Sequence, residues 1–210
     1  MRIVPAVHTV VVRLWVPDRP GALGQVASRI GAVRGSVLAI EILETGGGKA
    51  IDELVVVLPS EDLVALMVAE VHAVEGVSVE HVRPVAGDRV DAGLLALSLA
   101  AEVAESTGEQ RGTRLVAGVV ELTESDWAML VHDTEVVASV GPVPSADWID
   151  SLVAGSRHLG NGGIAAADLF WAELPTCGMW LAAGRKERPV HERERDRLRL
   201  LVRIADSLLS

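Results

Sequence analysis

The pattern that most constrains this chain lies in residues 8–83, where the apolar residues pass twice from a strand's period of two to a helix's period of 3.6 and back. Residues 8–16 (HTVVVRLWV) alternate, with Val10, Val12, Leu14 and Val16 on one face and Val11, Arg13 and Trp15 on the other. In residues 20–33, Leu23, Val26, Ala27, Ile30 and Val33 recur at helical spacing, and Gly35 is read as the left-handed stop. Residues 37–44 and 50–58 read as strands joined by Gly46, Gly47 and Gly48, with Leu38, Ile40 and Ile42 on a shared face. Ser60 is a candidate N-cap for a second helix carrying Leu63, Leu66, Met67, Val71 and Val74; Gly76 ends it and residues 77–83 form a fourth strand.

The resulting order, βαββαβ, is the ferredoxin-like plan: one antiparallel sheet with two helices on one face. The opposite face is expected to stay open, carrying Val11, Trp15, Val37, Ala39 and Val55 among charges, with Arg13, Trp15 and Glu41 as candidates for a contact across it. A half-apolar open face or a free strand edge favours a homodimer.

Pro84, Gly87 and Asp88 mark a boundary, dividing the chain into residues 1–86 and 87–210. The second part reads as helices at 90–106 and 113–123, strands at 127–132 and 135–140, a helix at 145–154, strands at 168–173 and 178–184, and a helix at 191–209. The fold class is therefore α+β, a ferredoxin-like unit followed by a small α/β domain.

The turn between the first strand and helix, Asp18-Arg19-Pro20-Gly21, offers chemistry. A helix N-terminus presents unpaired N–H groups and partial positive charge, which suit a carboxylate. Gly21 lets a ligand approach the backbone, and Asp18 can face the ammonium of the same ligand. The plainer reading makes Asp18 the N-cap and leaves Pro20 and Gly21 only to shape the turn.

Other chemistry is thinner. The net charge of −10 disfavours nucleic acid, whose affinity rests on neutralising phosphates. A single cysteine excludes an internal disulfide and a Cys-rich metal site, the six histidines show no metal-ligand spacing, and no cofactor is implied. No signal peptide or membrane span is legible, so a cytoplasmic setting is expected. Cys177 is a nucleophile only with a base, for which His158 and His191 are candidates. Residues 185–203 hold eight basic and four acidic residues, which suit a solvated helix with i, i+3 and i, i+4 pairs better than a nucleic-acid surface.

Residues 8–84, above all DRPGALGQVASRI and the following GSVLAIEI, resemble an ACT domain. The resemblance implies a ferredoxin-like regulatory module that dimerises and binds an amino acid near the first strand–helix loop. It puts Asp18, Arg19, Pro20, Gly21, Ala22 and Leu23 at the ligand, while Val16 and Val37 stand where amino-acid-binding members commonly carry polar side chains. Residues 90–210 look like a GAF domain, on VVASVG (136–141) and MWLAAGRKERPVHERERDRLRLL (179–201), with His191 where a Ser or Thr N-cap is expected. That resemblance implies a small-molecule sensor and makes Trp148, His158, Asn161 and Trp171 pocket candidates; alternatively the two tryptophans fill a core poor in Phe. The reading is a non-enzymatic regulatory protein binding a small molecule, an amino acid, as a dimer. The alternatives are an enzyme using Cys177 or His158, and a transcription-associated module using the basic C-terminal helix.

Overall fold

The computed structural model describes residues 7–86, 91–108, 110–133, 135–145, 147–148, 151 and 168–210. The chain divides into two compact units, Met1–Arg89 and Val90–Ser210.

The N-terminal unit runs β1 (His8–Pro17), α1 (Ala22–Ala32), β2 (Ser36–Gly46), β3 (Lys49–Leu58), α2 (Leu63–His72) and β4 (Ser78–Pro84). Its sheet is antiparallel, ordered β2-β3-β1-β4, which is the ferredoxin-like arrangement. Val10, Val12, Leu14 and Val16 meet Val26, Ile30, Met67 and Val71 in one core, as the alternation in residues 8–16 requires.

The other face of the sheet departs from expectation. Val11 is fully buried and Arg13 is only 3% exposed. Val37 is not on that face: it pairs with Val56 and packs against the helix-side core. A bulge between Val37 and Ala39 resets the alternation of β2, and a second lies between Ile42 and Glu44. Leu38, Ile40 and Ile42 end up 59%, 45% and 47% exposed along the edge strand.

Helix ends also differ from the sequence reading. Arg34, at φ 63°, takes the left-handed position after α1. Gly35 is needed for space instead, since a Cβ there would lie 2.7 Å from Ile30 Cγ2. Asp62, not Ser60, stands at the N-cap of α2, without a side-chain bond.

The C-terminal unit runs α3 (Ala92–Glu105), α4 (Gln110–Thr123), β5 (Trp127–His132), β6 (Glu135–Val140), β7 (Leu169–Leu174), β8 (Met179–Gly184) and α5 (Glu192–Leu209). The antiparallel sheet is ordered β6-β5-β8-β7. Alternation on its strands divides the apolar residues between two clusters. Ala128, Leu130, Phe170, Leu181 and Ala183 join Leu99, Leu115, Val119, Leu198 and Val202 of the helices. Met129, Val131, Leu169, Trp180 and Ala182 form the second cluster. Most of the helix expected at 145–154 lies outside the described residues.

Close approach of α3 and α4 rests on Gly118, where a Cβ would sit 2.1 Å from Leu99 Cδ1. Gly118→Ala is expected to lower stability by about 1–3 kcal/mol through overpacking. Adding Leu99→Ala should recover part of that loss rather than deepen it, as a double-mutant cycle by urea unfolding will show.

Candidate functional site

The strand–helix turn is built by backbone. Asp18 N–H donates to Gly48 O at 3.0 Å, tying the turn to the β2–β3 hairpin, and Arg19 N–H bonds Pro17 O at 2.8 Å. Gly21 then takes φ 84°, a left-handed value that a Cβ would penalise, and is itself the N-cap of α1. Asp18 is therefore not the cap, and Pro20 precedes the helix instead of occupying its first position. The reason is Gly21, which breaks the helical path at the residue where the apolar pattern suggested continuity. No side chain caps α1, and no acidic residue stands in its first turn. Asp18, Arg19, Pro20 and Gly21 are exposed, Leu23 is half-buried, and Ala22 is buried beneath the helix start. Arg19 Nη2 reaches Gln25 Oε1 at 3.4 Å across the helix mouth.

Asp52 had no place in the sequence reading. It lies on β3 between Leu14 of β1 and Ile42 of β2, two residues from Ala50, which pairs with Val16 just before the turn. It is 3% exposed, and its Oδ1 has no hydrogen-bond partner among the described residues. Burial, with the negative charge of Asp18 added, raises its pKa. The signal available in the sequence was a carboxylate in the row Ala50, Asp52, Leu54, Val56 and Leu58, whose other members are apolar.

The opposite sheet face carries a buried polar cluster. Arg13 donates to Glu53 Oε2 from Nη2 at 2.7 Å and from Nε at 3.2 Å, and its Nη1 lies 3.8 Å from Glu80. Trp15 Nε1 donates to Glu80 Oε1 at 3.1 Å. Arg13 thus pairs with β3 and β4 neighbours within its own sheet. His81, paired with Arg13 on β4, is half-buried with its side chain 16% exposed, and its pKa falls from 6.5 to about 4. Burial is the main cause and the Arg13 charge the next; Glu53 and Glu80 oppose them, and Arg83 adds a smaller lowering.

In the C-terminal unit the nucleophile candidate Cys177 sits beside a carboxylate. Cys177 Sγ lies 3.4 Å from Asp206 Oδ1, and burial followed by that hydrogen bond raises the thiol's pKa. Burial also pushes Asp206 up, but bonds from the Thr176 side chain and backbone and from Cys177 bring its pKa below the ordinary value. Asp206 accepts Thr176 N–H at 3.0 Å and Thr176 Oγ1 at 2.7 Å, so it is the acceptor that shapes the β7–β8 turn.

Arg185 is no solvated helix residue: it is 3% exposed and donates to the carbonyls of Thr123, Arg188 and Pro189 and to Glu194. Arg188 and Arg199 are paired with Glu124 and Asp196. His191 occupies the N-cap of α5, where its N–H donates to Glu194. Trp171 packs against the Met129–Trp180 cluster, whereas Trp148 is exposed. His158 and Asn161 lie outside the described residues. Among the described residues no group of three or more potential metal ligands occurs, and no helix is long and apolar enough to cross a membrane.

Residues 10–76 match the family model of the ACT domain. The N-terminal unit is thus a ferredoxin-like ACT-type region. No curated protein matches the chain. Among solved structures, the ACT domain from GTP pyrophosphokinase of Chlorobium tepidum is 16% identical, with 38% of this chain and 100% of that one covered at a TM-score of 0.31. An uncharacterized protein from Thermotoga maritima is 20% identical over 39% of this chain and 100% of that chain, also at 0.31. An unknown protein from Galdieria sulphuraria is 13% identical over 85% of this chain and 81% of that one, at 0.35.

Two outcomes test these environments. The unfolded chain takes up a proton at His81 near pH 6.5 and the folded one only near 4. Stability from this residue is therefore complete above 6.5 and declines as pH falls toward 4, by about 3 kcal/mol in all. Urea unfolding across that range should show the decline, and His81→Gln should flatten it. Cys177 is expected to react with iodoacetamide more slowly than a free thiol, and Asp206→Asn to speed the reaction.

Proposed function

We propose that this chain is a non-catalytic regulatory protein whose N-terminal unit binds an amino acid at the 17–22 turn and dimerises through β2. The observation that carries this reading is the start of α1, within the segment matched to the ACT domain, where Gly21 leaves the helix without a side-chain cap. Such an end offers N–H groups and partial positive charge to a carboxylate. ACT domains generally bind small molecules, often as dimers. An uncapped helix start that follows an exposed Asp18 suits that use.

Dimerisation is supported by β2, an edge strand on which Leu38, Ile40 and Ile42 stand exposed. An edge strand leaves a row of unpaired backbone groups, and apolar side chains beside that row favour pairing with another strand. We place a second copy there. The C-terminal unit we read as a GAF-like sensor, coupled to the first if ligand favours one arrangement of the dimer. The protonated thiol of Cys177 supports a non-catalytic second unit, and the ion pairs of Arg185, Arg188 and Arg199 leave less of the basic segment for nucleic acid. A cytoplasmic setting suits a chain with one cysteine.

A thermal-shift screen of the twenty amino acids tests the binding half. One or a few should raise the midpoint, by an amount set by mass action. Absence of any shift at high concentration would remove the amino acid. Ile40→Lys with Ile42→Lys should convert a dimer to a monomer in sedimentation velocity. An unchanged sedimentation coefficient would move the interface off β2.

A further inference from the structure

Asp52 is costly where it stands. The helix-facing row of β3 is Ala50, Asp52, Leu54, Val56 and Leu58, and every other member is apolar and buried. An apolar residue at 52 would continue the row. A carboxyl whose Oδ1 is buried without a hydrogen-bond partner instead loses hydration there without compensation. Asp18, the acidic residue whose charge reaches it, makes the position worse for an anion. The two carboxyls nevertheless define one neighbourhood. Asp18 is held to the β2–β3 hairpin through Gly48, and Asp52 lies on β3 one pleat below Ala50.

A cation with N–H donors would supply both the hydrogen bond and the charge that this carboxyl lacks. Among the described residues no set of ligands for a metal is present. The neighbour of Asp52 on the edge strand is Ile42, and the next helix-side residue along that strand is Ile40, both about half exposed. A half-exposed apolar pair therefore flanks the buried carboxyl on the edge-strand side, while the uncapped start of α1 follows the turn.

We propose that Asp52 is the ammonium acceptor of the site at the 17–22 turn, so that the site selects a primary amine whose apolar tail lies on Ile40 and Ile42. This rests on the reading of the turn as an amino-acid site and transfers the ammonium from Asp18, which is exposed, to Asp52. A short charge-assisted bond to a desolvated carboxylate is stronger than one to a solvated carboxylate. The α1 N–H groups take the carboxylate of the same ligand. Asp52 is then a specificity residue whose cost to the unliganded fold is recovered on binding.

The test uses the full chain and begins from the best binder among the twenty amino acids, compared by calorimetry with its decarboxylated amine and its deaminated acid. Leucine, isoleucine, valine or methionine is expected to bind best. The amine should retain binding and the acid should lose it. Asp52→Asn should unfold at a higher temperature than the wild type without ligand, yet bind at least about tenfold more weakly. Asp18→Asn should bind within about threefold of wild type. Asp52→Ser is the companion if the asparagine variant folds poorly. An acid that binds as well as the amino acid, or an Asp52→Asn protein with unchanged affinity, overturns the assignment while leaving the amino-acid site standing. A polar best binder overturns the apolar tail alone, and no binding by any amino acid or amine overturns both readings.

Discussion

The N-terminal unit depends on β1 being buried on both faces and bonded on both edges. It pairs with β3 along its whole length and with β4 from Val10 to Trp15, so most of its backbone groups are bonded within the sheet. Its helix-facing residues lock α1 and α2 onto the sheet. Its other face places Arg13 in the interior, where Glu53 meets the guanidinium and Glu80 approaches it. Removing one partner of such a pair costs about 3–5 kcal/mol, because the survivor is left charged and desolvated. Glu80 serves both Arg13 and Trp15, so β4 is tied to β1 by side chains as well as by its ladder.

The geometry of the turn follows from the end of that strand. The chain leaves β1 at Pro17, is bound to the hairpin through Asp18, and can enter α1 within four residues only by a left-handed step at Gly21. That step places the cap on a residue with no side chain. An open helix end and an exposed turn are thus a consequence of how tightly β1 and α1 are joined. Beneath them, Asp52 keeps a carboxyl in a row that packing alone would fill with hydrocarbon. In this unit the uncapped helix start and the buried Oδ1 of Asp52 both follow from the chain near the turn end of β1.

The C-terminal unit uses buried polar side chains differently. Arg185 gathers three backbone carbonyls and Glu194, and its guanidinium lies 5.3 Å from the centre of the Phe170 ring. Asp206 gathers the donors of the β7–β8 turn. Both join segments distant in sequence, and both satisfy main-chain groups that the sheet and helices cannot reach. The cysteine beside Asp206 belongs to this tie.

Strand and helix order were legible in the sequence because each apolar stripe is local: Val10 through Val16 and Leu23 through Val33 declare their period without reference to any neighbour. The turn was legible too, since Pro20 and Gly21 restrict the backbone themselves. Long-range placement was not. Whether Arg13 is exposed depends on Glu53, forty residues away, and whether Val37 faces the helices depends on a bulge set by pairing with β3. Local chemistry permits Asp18 either to cap the helix or to face a ligand; the N-cap falls on Gly21 instead, so the cap is ruled out. Asp52 was passed over because an acid in a strand is unremarkable until its surroundings are known to be dry. The sequence by itself determined the βαββαβ plan, the site of the turn and the order of the described elements of the second unit, all of which rest on periodicity and backbone restriction. Only tertiary structure decided which charges are buried, which are paired and which carboxyl waits for a partner, because desolvation depends on every segment packed around a group.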